Sequence, residues 1–172
     1  MNIAINRLVN CAVYIDGDSF IGRAERVKIA KPKAVMVQHK GLGMVGKGKL
    51  PAGIDELEAE IKWSSVYAEI EIVNGSPFET HDFQVRGNLE TYIAGALTEE
   101  VPYVYLMTAS FIDAGPLEFQ QHENVDRTST LAVYHCEESI AGVQTFLYDW
   151  SANLLTVDGI DQLANFRANL GG

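Results

Sequence analysis

Residues 37–63 read VQHKGLGMVGKGKLPAGIDELEAEIKW, and this stretch decides the fold. It begins like a strand, enters a loop with glycine at positions 41, 43, 46 and 48, and passes through a Pro-Ala-Gly turn. From position 56 onward, polar and apolar residues alternate. A period of two residues is typical of a strand with one wet face and one buried face. We therefore predict a long β-hairpin over residues 27–63, with residues 40–53 as its projecting tip.

The wet face of the returning strand carries Glu56, Glu58 and Glu60. Like charges on one strand repel each other, so such a row is tolerated where it faces bulk water or a wide aqueous cavity. Side chains at alternate positions of one strand point the same way and are not opposed across a substrate, as paired catalytic carboxylates are. The pattern therefore predicts a solvated acidic face rather than a catalytic site.

The composition is that of one folded domain spanning residues 1–172. Of its residues, 47% are hydrophobic and 21% are charged, as in ordinary globular proteins. No apolar run approaches the roughly 20 residues that a membrane-spanning helix needs. The first residues lack the basic start and the cleavage site of a signal peptide. We therefore expect a protein made in a cytoplasm, without a membrane anchor.

Charge is distributed unevenly along the chain, whose formal net charge is −10. Residues 1–50 hold nine Lys or Arg against three acids, a net of +6, whereas residues 51–172 hold four basic residues against twenty acids, a net of −16. The two halves can neutralise each other within one fold, or give a subunit one basic and one acidic surface suited to head-to-tail assembly. The acidic total argues against binding nucleic acid tightly.

Period-two patterns recur along the chain and predict a mainly β, antiparallel fold with one or two short helices. The predicted strands are residues 11–15, 20 with 26–30, 34–39, 54–63, 83–94, 101–112, 129–136, 141–150 and 153–157. A turn over residues 137–140 joins two of them. Residues 64–73 suit a strand or a helix, and we favour the helix. The tail, residues 158–172, changes to a helical period, with Gly171 as its stop.

The sequence contains only weak matches to nucleotide-binding, metal-binding and catalytic motifs. Residues 41–46 match G-x-G-x-x-G, but Gly48, Pro51 and Gly53 forbid the helix on which a dinucleotide site depends. The four histidines show no metal-ligand spacing, and no nucleophile–base signature is present. Cys11 and Cys136 fit free thiols, although a disulfide within or between subunits stays open. We predict no catalytic residues, no cofactor, no metal and no enzyme activity.

Three stretches together resemble the major tail tube protein of contractile-tailed bacteriophages and R-type pyocins. They are residues 13–22 (VYIDGDSFIG), residues 40–44 (KGLGM) and residues 157–171 (VDGIDQLANFRANLG). The third is the most specific, with a strand end, an Asp-Gly turn and a short amphipathic finish that contains an arginine. The resemblance spans nearly the whole chain, and the strand-rich middle agrees with it.

The resemblance implies a β-barrel or sandwich subunit that forms hexameric rings, stacked head to tail into the inner tube of a contractile tail. The implied partners are further copies of the chain, the tail sheath, tape measure, baseplate and tail terminator proteins, and double-stranded DNA that passes without specific binding. The implied location is the virion, after assembly in the bacterial host cytoplasm. An open-edged sheet that closes into a ring of subunits would satisfy its own strand edges.

Within this framework we assign two candidate surfaces. The first is an inter-ring contact loop that consists of Lys40, Gly41, Gly43, Met44, Gly46, Lys47 and Lys49. The second is a lumen-facing acidic strand that carries Glu56, Glu58 and Glu60. A tube protein of a headless pyocin-like particle or of a secretion system fits the same residues with another cargo. A monomeric ligand-binding β-barrel is the alternative from another class.

Overall fold

The structure is a computed structural model that describes residues 3–171. Within them the chain forms twelve strands and two short helices. The strands are β1 (Ala4–Ile15), β2 (Asp18–Ser19), β3 (Ala24–Lys28), β4 (Ala34–His39), β5 (Gly48–Ile54), β6 (Leu57–Trp63), β7 (His81–Ile93), β8 (Ala96–Asp113), β9 (Arg127–Ile140), β10 (Val143–Asp149), β11 (Leu154–Val157) and β12 (Ile160–Asp161). The helices are α1 (Ala68–Asn74) and α2 (Ala164–Asn169).

Ten strands form one sheet in which every pairing is antiparallel. Its main path is β12-β11-β10-β9-β8-β7-β1-β2, and β6 and β3 branch from it at β9. The first half of β9 pairs with β6, and its second half pairs with β10. The long strands β7, β8 and β9 therefore run through both halves of the sheet. Strands β4 and β5 form a separate two-stranded sheet.

The two halves of the sheet enclose one apolar core. Its largest fully buried side chains include Trp63, Tyr105, Phe83 and Phe111, which come from β6, β7 and β8. Alternate residues of these strands are buried, as the period-two patterns predict. In the segment after β3, the carbonyl of Ala30 accepts a hydrogen bond from the hydroxyl of Tyr105 on β8. This contact ties the segment to the buried face of the sheet.

Four sharp turns connect neighbouring strands of the large sheet. Each places two successive residues at positive φ, and the second is a glycine in every case: residues 16–17, 94–95, 141–142 and 158–159. Two-residue turns of this backbone type match the right-handed twist of antiparallel strands, and Asp-Gly is one of their preferred sequences. The Asp-Gly turn expected in residues 157–171 is therefore confirmed at Asp158, and Asp16 begins a second turn of the same type.

Helix α1 is held to the sheet by an ion pair and by one apolar anchor. Ile70 is buried, and Glu71 receives a hydrogen bond from the guanidinium of Arg127 on β9. Arg127 is itself buried and also donates to the carbonyl of Ala114. The favoured helix in residues 64–73 is thus confirmed, although it starts at Ala68. Neither helix of residues 3–171 is long and apolar enough to span a bilayer.

The mainly antiparallel fold is confirmed, but several predicted boundaries are wrong. The predicted tip over residues 40–53 is too long, because residues 48–54 form β5 and pair with β4. The predicted turn over residues 137–140 belongs to β9, and the chain turns at Ala141 and Gly142. The first strand starts at Ala4 rather than at residue 11. The tail forms β12 before its short helix α2. Residues 1, 2 and 172 lie outside the described residues.

Candidate assembly surfaces

The hairpin of β4 and β5 projects from the body of the subunit. Its six strand pairs run from Ala34 opposite Ile54 to His39 opposite Gly48. Every residue of β4 is exposed, and so is every residue of β5 except the half-buried Ile54. A two-stranded ribbon without a covered face is marginal by itself in water. The exposed hairpin therefore has apolar surface available for a neighbouring molecule.

Residues 40–47, which we call the tip loop, join the two strands. Leu42 and Val45 are fully exposed, and Met44 is about half exposed. Lys40 and Lys47 flank these apolar side chains in sequence. Gly43 has a φ of +82°, in the left-handed region that favours glycine. The tip loop thus presents apolar side chains between two positive charges.

The predicted contact loop lies mostly in the tip loop. Lys40, Gly41, Gly43, Met44, Gly46 and Lys47 are all exposed there. Lys49 is the exception, because it lies on β5 opposite Gln38. Its ammonium group therefore belongs to the shaft of the hairpin rather than to its end.

The predicted acidic face exists, but it also contains basic residues. Glu58 and Glu60 lie on the outward face of β6, and Glu56 precedes that strand. Glu60 accepts a hydrogen bond of 2.7 Å from Lys28 of β3. This bond, together with the positive charges of Lys28 and Arg26, outweighs desolvation and lowers the pKa of Glu60.

The next polar position on the same face is also paired. Lys62 lies 2.7 Å from Glu25 and 2.8 Å from Asp126. The hydrogen bonds to Asp126 and then to Glu25 raise the pKa of Lys62. Within residues 3–171, Glu56 and Glu58 form no salt bridge. The excess negative charge of the row is therefore concentrated at Glu56 and Glu58, at the end away from Lys62.

An ion pair anchors the base of the hairpin to the sheet. Lys31, between β3 and β4, lies 2.7 Å from the carboxylate of Glu138 on β9. Glu138 is only 5% exposed and also accepts hydrogen bonds from Tyr103 (2.6 Å) and Thr145 (2.8 Å). Burial opposes the charge of Glu138, but these hydrogen bonds prevail and its pKa is lowered. The direction from which the hairpin leaves the body is thereby restricted.

Strand β1 has an open edge. One side of β1 pairs with β7 along nearly its whole length, and the other pairs with β2 only at Tyr14 and Ile15. Among the described strands, none pairs with residues 4–12 on that second side, and the carbonyl of Val13 there accepts a hydrogen bond from the backbone N–H of Phe20. Ile5 and Leu8 are exposed there. A long apolar edge of this kind is a template for pairing with another chain.

The C-terminal motif folds as a compact unit on β11. Asp161, which precedes α2, accepts a hydrogen bond of 2.9 Å from the backbone N–H of Leu163. Arg167 of α2 pairs with Asp161 and donates a hydrogen bond of 3.0 Å to the carbonyl of Asn153. The pairing with Arg167 and the bonds from backbone N–H groups lower the pKa of Asp161. The arginine of the quoted motif therefore holds α2 in place.

Sequence reasoning missed the anchor between Lys31 and Glu138 and the open edge of β1. The first has no local signal, because its members lie in three different strands and one linker. For the second, residues 3–9 read IAINRLV and do not alternate, so no period-two pattern marks the start of a strand before residue 11. Strand order, which decides whether an edge is open, is not encoded in a local pattern.

Metal-ligating side chains and thiols are the remaining chemical groups of the described residues. No cluster of three or more His, Cys, Asp or Glu residues there could hold a metal ion. Both cysteines are free, with Cys11 exposed and Cys136 buried. Burial raises the pKa of the Cys136 thiol. A buried thiol of raised pKa is an inert packing group rather than a nucleophile.

Comparisons with known proteins agree with this geometry. The family model described as phage tail tube protein FII matches residues 5–171. Among solved structures, the chain is similar to a chain of an extracellular contractile injection system, the PVC sheath–tube complex in its extended state. That match has a TM-score of 0.54 and 14% sequence identity, and it covers 75% of this chain and 87% of that chain. No curated protein matches the sequence.

Proposed function

The chain belongs to the phage tail tube protein FII family and is a structural protein of a tail tube, and from this premise we propose that it forms hexameric rings stacked head to tail. Such a tube would be the conduit through which double-stranded DNA leaves a contractile phage tail. The observation that carries this proposal is the open edge of β1, because it leaves the isolated subunit incomplete. The fold found in the PVC complex supports the same architecture.

Ring closure follows from the strand edges. If the free side of β1 meets an edge of the next subunit, the contact is heterologous and is repeated around the ring. Closing the ring removes every such edge, as in any closed barrel. Ile5 and Leu8, which are exposed in the subunit, would be covered in the ring.

Negative-stain microscopy of the purified protein tests this proposal. We expect rings or tubes of uniform diameter, in equilibrium with the 18.9 kDa subunit at low concentration. A subunit that stays monomeric at high concentration, with the free edge of β1 covered by its own chain, would contradict it. A monomeric ligand-binding barrel predicts that result.

Stacking of the rings is proposed to depend on the tip loop. Its apolar side chains and lysines would contact the next ring, and the acidic second half of the chain supplies a surface of opposite charge. Replacement of residues 40–47 by Asn-Gly keeps the ladder of β4 and β5 and removes only the tip. We expect a folded variant that forms no tubes. Normal tubes from that variant would refute the stacking role.

The lumen is proposed to be lined in part by Glu56, Glu58 and Glu60. Their carboxylates, repeated around the ring, would repel DNA phosphates from the wall, with a field that extends about 10 Å at 0.1 M salt. Glu56 and Glu58 are exposed, whereas the carboxylate of Glu60 is hydrogen-bonded to Lys28. DNA would then slide through without sticking.

A double variant, Glu56→Lys with Glu58→Lys, tests this assignment and leaves the Glu60–Lys28 pair intact. We expect DNA ejection to slow and to become faster again as salt screens the attraction. The matched control is Glu79→Lys with Glu118→Lys, two exposed carboxylates on loops elsewhere in the chain. Equal ejection rates and equal salt dependence of both variants would exclude the lumen role.

The remaining partners are proposed from the family. A tube inside a contractile tail needs a sheath around it, a tape measure protein within it, a baseplate below it and a terminator above it. The solved relative is a sheath–tube complex, which supports the sheath as a partner of this chain. Assembly in the cytoplasm of the bacterial host completes the proposal.

A second candidate is the tube of an injection particle without a DNA-filled head. The likeness to an extracellular contractile injection system favours it. A subunit with the same fold and the same contacts between copies can form a tube that carries a cargo other than DNA. Genes for a capsid and a portal beside this one would support the phage tail. Their absence from a complete cluster of tail genes would support the injection particle.

A further inference from the structure

An apolar groove lies between the base of the hairpin and the C-terminal segment. It has a volume of about 980 Å³. One wall is the hairpin base, with Ala34, residues 51–53 and Ile54, and the other comes from β10, β11 and α2. We call it the C-terminal groove. Its volume is within the range of ligand pockets in proteins.

The C-terminal groove exposes large apolar side chains to water. Trp150, Val157 and Phe166 line it, and each is exposed over roughly half of its surface, between 43% and 64%. Monomeric proteins rarely leave a contiguous apolar surface of this kind uncovered, and such patches mark interaction sites. The tip loop exposes Leu42 and Val45 in the same way. One chain therefore carries two separate apolar surfaces, one convex and one concave.

The charges around these two surfaces are opposite. Residues 34–54, which form the hairpin, contain three lysines and no acid. Residues 148–167, which form the other wall of the groove, contain three aspartates and one arginine, and because Arg167 pairs with Asp161, the excess negative charge lies on Asp149 and Asp158. All three aspartates adjoin residues that line the groove. Complementary charge of this kind directs one surface to the other and fixes its orientation.

We propose that the tip loop of a second copy of this chain docks into the C-terminal groove. Leu42 and Val45 insert against its apolar wall, and Lys40 and Lys47 lie beside its aspartate rim. This inference rests on the proposed tube and names the surface that receives the tip loop. It also assigns a role to the tail motif beyond the fold of the subunit, because Arg167 and Asp161 hold α2 where it forms the groove.

The tip loop cannot reach the groove of its own subunit. Ala34 and residues 51–54 of the hairpin base already line that groove, and six strand pairs separate them from the tip. At about 3.3 Å per residue the tip lies nearly 20 Å away along a paired ribbon. Docking therefore occurs between copies. A tip that always meets a groove, and never another tip, makes a heterologous contact that repeats along an assembly.

Disulfide trapping in assembled tubes tests the docking. In a Cys11→Ser background, Val45→Cys is combined with Val157→Cys in one variant and with Phe166→Cys in another. A disulfide forms only when the Cα atoms approach within about 7 Å. We expect a ladder of linked subunits on a non-reducing gel from at least one pair. Mixing chains that carry the two cysteines separately should give linked dimers, which proves that the bond joins two copies.

The matched control is Val45→Cys with Ile72→Cys, since Ile72 is exposed on α1 and does not line the groove. Normal tubes in which neither groove pair links above this control would overturn the docking and leave the tube function standing. Wild-type protein that forms no rings or tubes would overturn both. Cross-links of the groove positions only to the sheath protein would assign the groove to the sheath instead.

A second pair of variants covers the case in which the cysteines disturb assembly. Leu42→Ser with Val45→Ser, and separately Val157→Ser with Phe166→Ser, should each raise the subunit concentration needed for tubes by about tenfold or more, a change of about 1.4 kcal/mol. The control is Ile72→Ser with Phe78→Ser, two exposed apolar residues outside both surfaces. Unchanged assembly of the groove variant would refute the docking.

Discussion

At the scale of single residues, Glu138 is a buried carboxylate whose charge depends on partners from several parts of the chain. A carboxylate that is 5% exposed must be hydrogen-bonded or paired, because desolvation of a charge is costly. Glu138 meets this requirement with Lys31, Tyr103 and Thr145, which come from separate parts of the chain. The group therefore joins the hairpin base, β8, β9 and β10 at one point.

Glu138→Gln should destabilise the free subunit by about 1–3 kcal/mol, because Lys31 and Tyr103 then lose the carboxylate to which they donate hydrogen bonds. Chemical unfolding followed by Trp fluorescence measures this change. The control is Glu137→Gln, whose side chain lies on the other face of β9 and hydrogen-bonds Gln144. The control should stay within about 0.5 kcal/mol of wild type. Equal stability of both variants would contradict the role of Glu138.

The same residue sets a dependence of stability on pH. Its pKa in the folded subunit is lower than the ordinary glutamate value of 4.5, so the unfolded chain binds the proton more readily. The stabilisation is therefore fully present above about pH 4.5 and is lost as the pH falls through the lower folded value. Unfolding curves of wild type should shift across this range. Glu138→Gln should lack this part of the shift, and an identical profile for both proteins would exclude it.

At the scale of elements, the open edge of β1 is the part of the fold that we expect to differ between the isolated subunit and the assembled tube. Its backbone groups on the free side are hydrogen-bonded to water in the subunit and would be hydrogen-bonded to a neighbour in a ring. The core strands differ, since β9 already pairs on both sides along its length. Assembly should therefore change β1 and leave β9 as it is.

Hydrogen exchange followed by mass spectrometry measures this difference. Among residues 4–9, the amides that point away from β7 should exchange quickly in the subunit and at least about tenfold more slowly in tubes, as expected when an exposed edge becomes paired. A peptide from residues 131–136 is the internal control and should be protected in both states. Equal exchange of residues 4–9 in subunits and tubes would show that this edge stays open.

At the scale of the whole molecule, the uneven charge of the chain becomes a directional property. Three basic residues of the first half, Lys40, Lys47 and Lys49, lie on the exposed hairpin, whereas residues 51–172 carry a net charge of −16. Stacking basic tips on acidic surfaces gives the tube a polarity and adds an attraction that salt screens.

Tube assembly should therefore weaken as salt rises. Raising salt from about 0.05 M to about 1 M shortens the screening length to about 3 Å and should increase the subunit concentration required for tubes. Light scattering and negative-stain microscopy measure this threshold. A variant with Lys40→Gln and Lys47→Gln should show a weaker dependence on salt. The control Lys28→Gln, away from the tip loop, should retain the wild-type dependence.

The boundaries that sequence reasoning misplaced have physical causes. Pro51 and Gly53 signal a turn, but they lie in β5, where the pairing with β4 shifts between Val35 and Met36. A proline is tolerated there because a two-stranded ribbon has free edges and a bulge needs fewer ladder bonds. Glu137 and Glu138 also suggested a turn. They continue β9 because distant side chains neutralise Glu138.

The sequence by itself determined the alternation of β6, the turns at Asp-Gly, the antiparallel β class and the family. These features depend on local period and local backbone preference, which a short stretch of residues encodes completely. Only the tertiary structure decided that Lys28 neutralises Glu60, that one side of β1 is free, and that residues 34 and 51–54 meet residues 148–166 in a groove. Those features depend on which strands become neighbours, and long-range pairing is set by the packing of the whole core rather than by any local pattern.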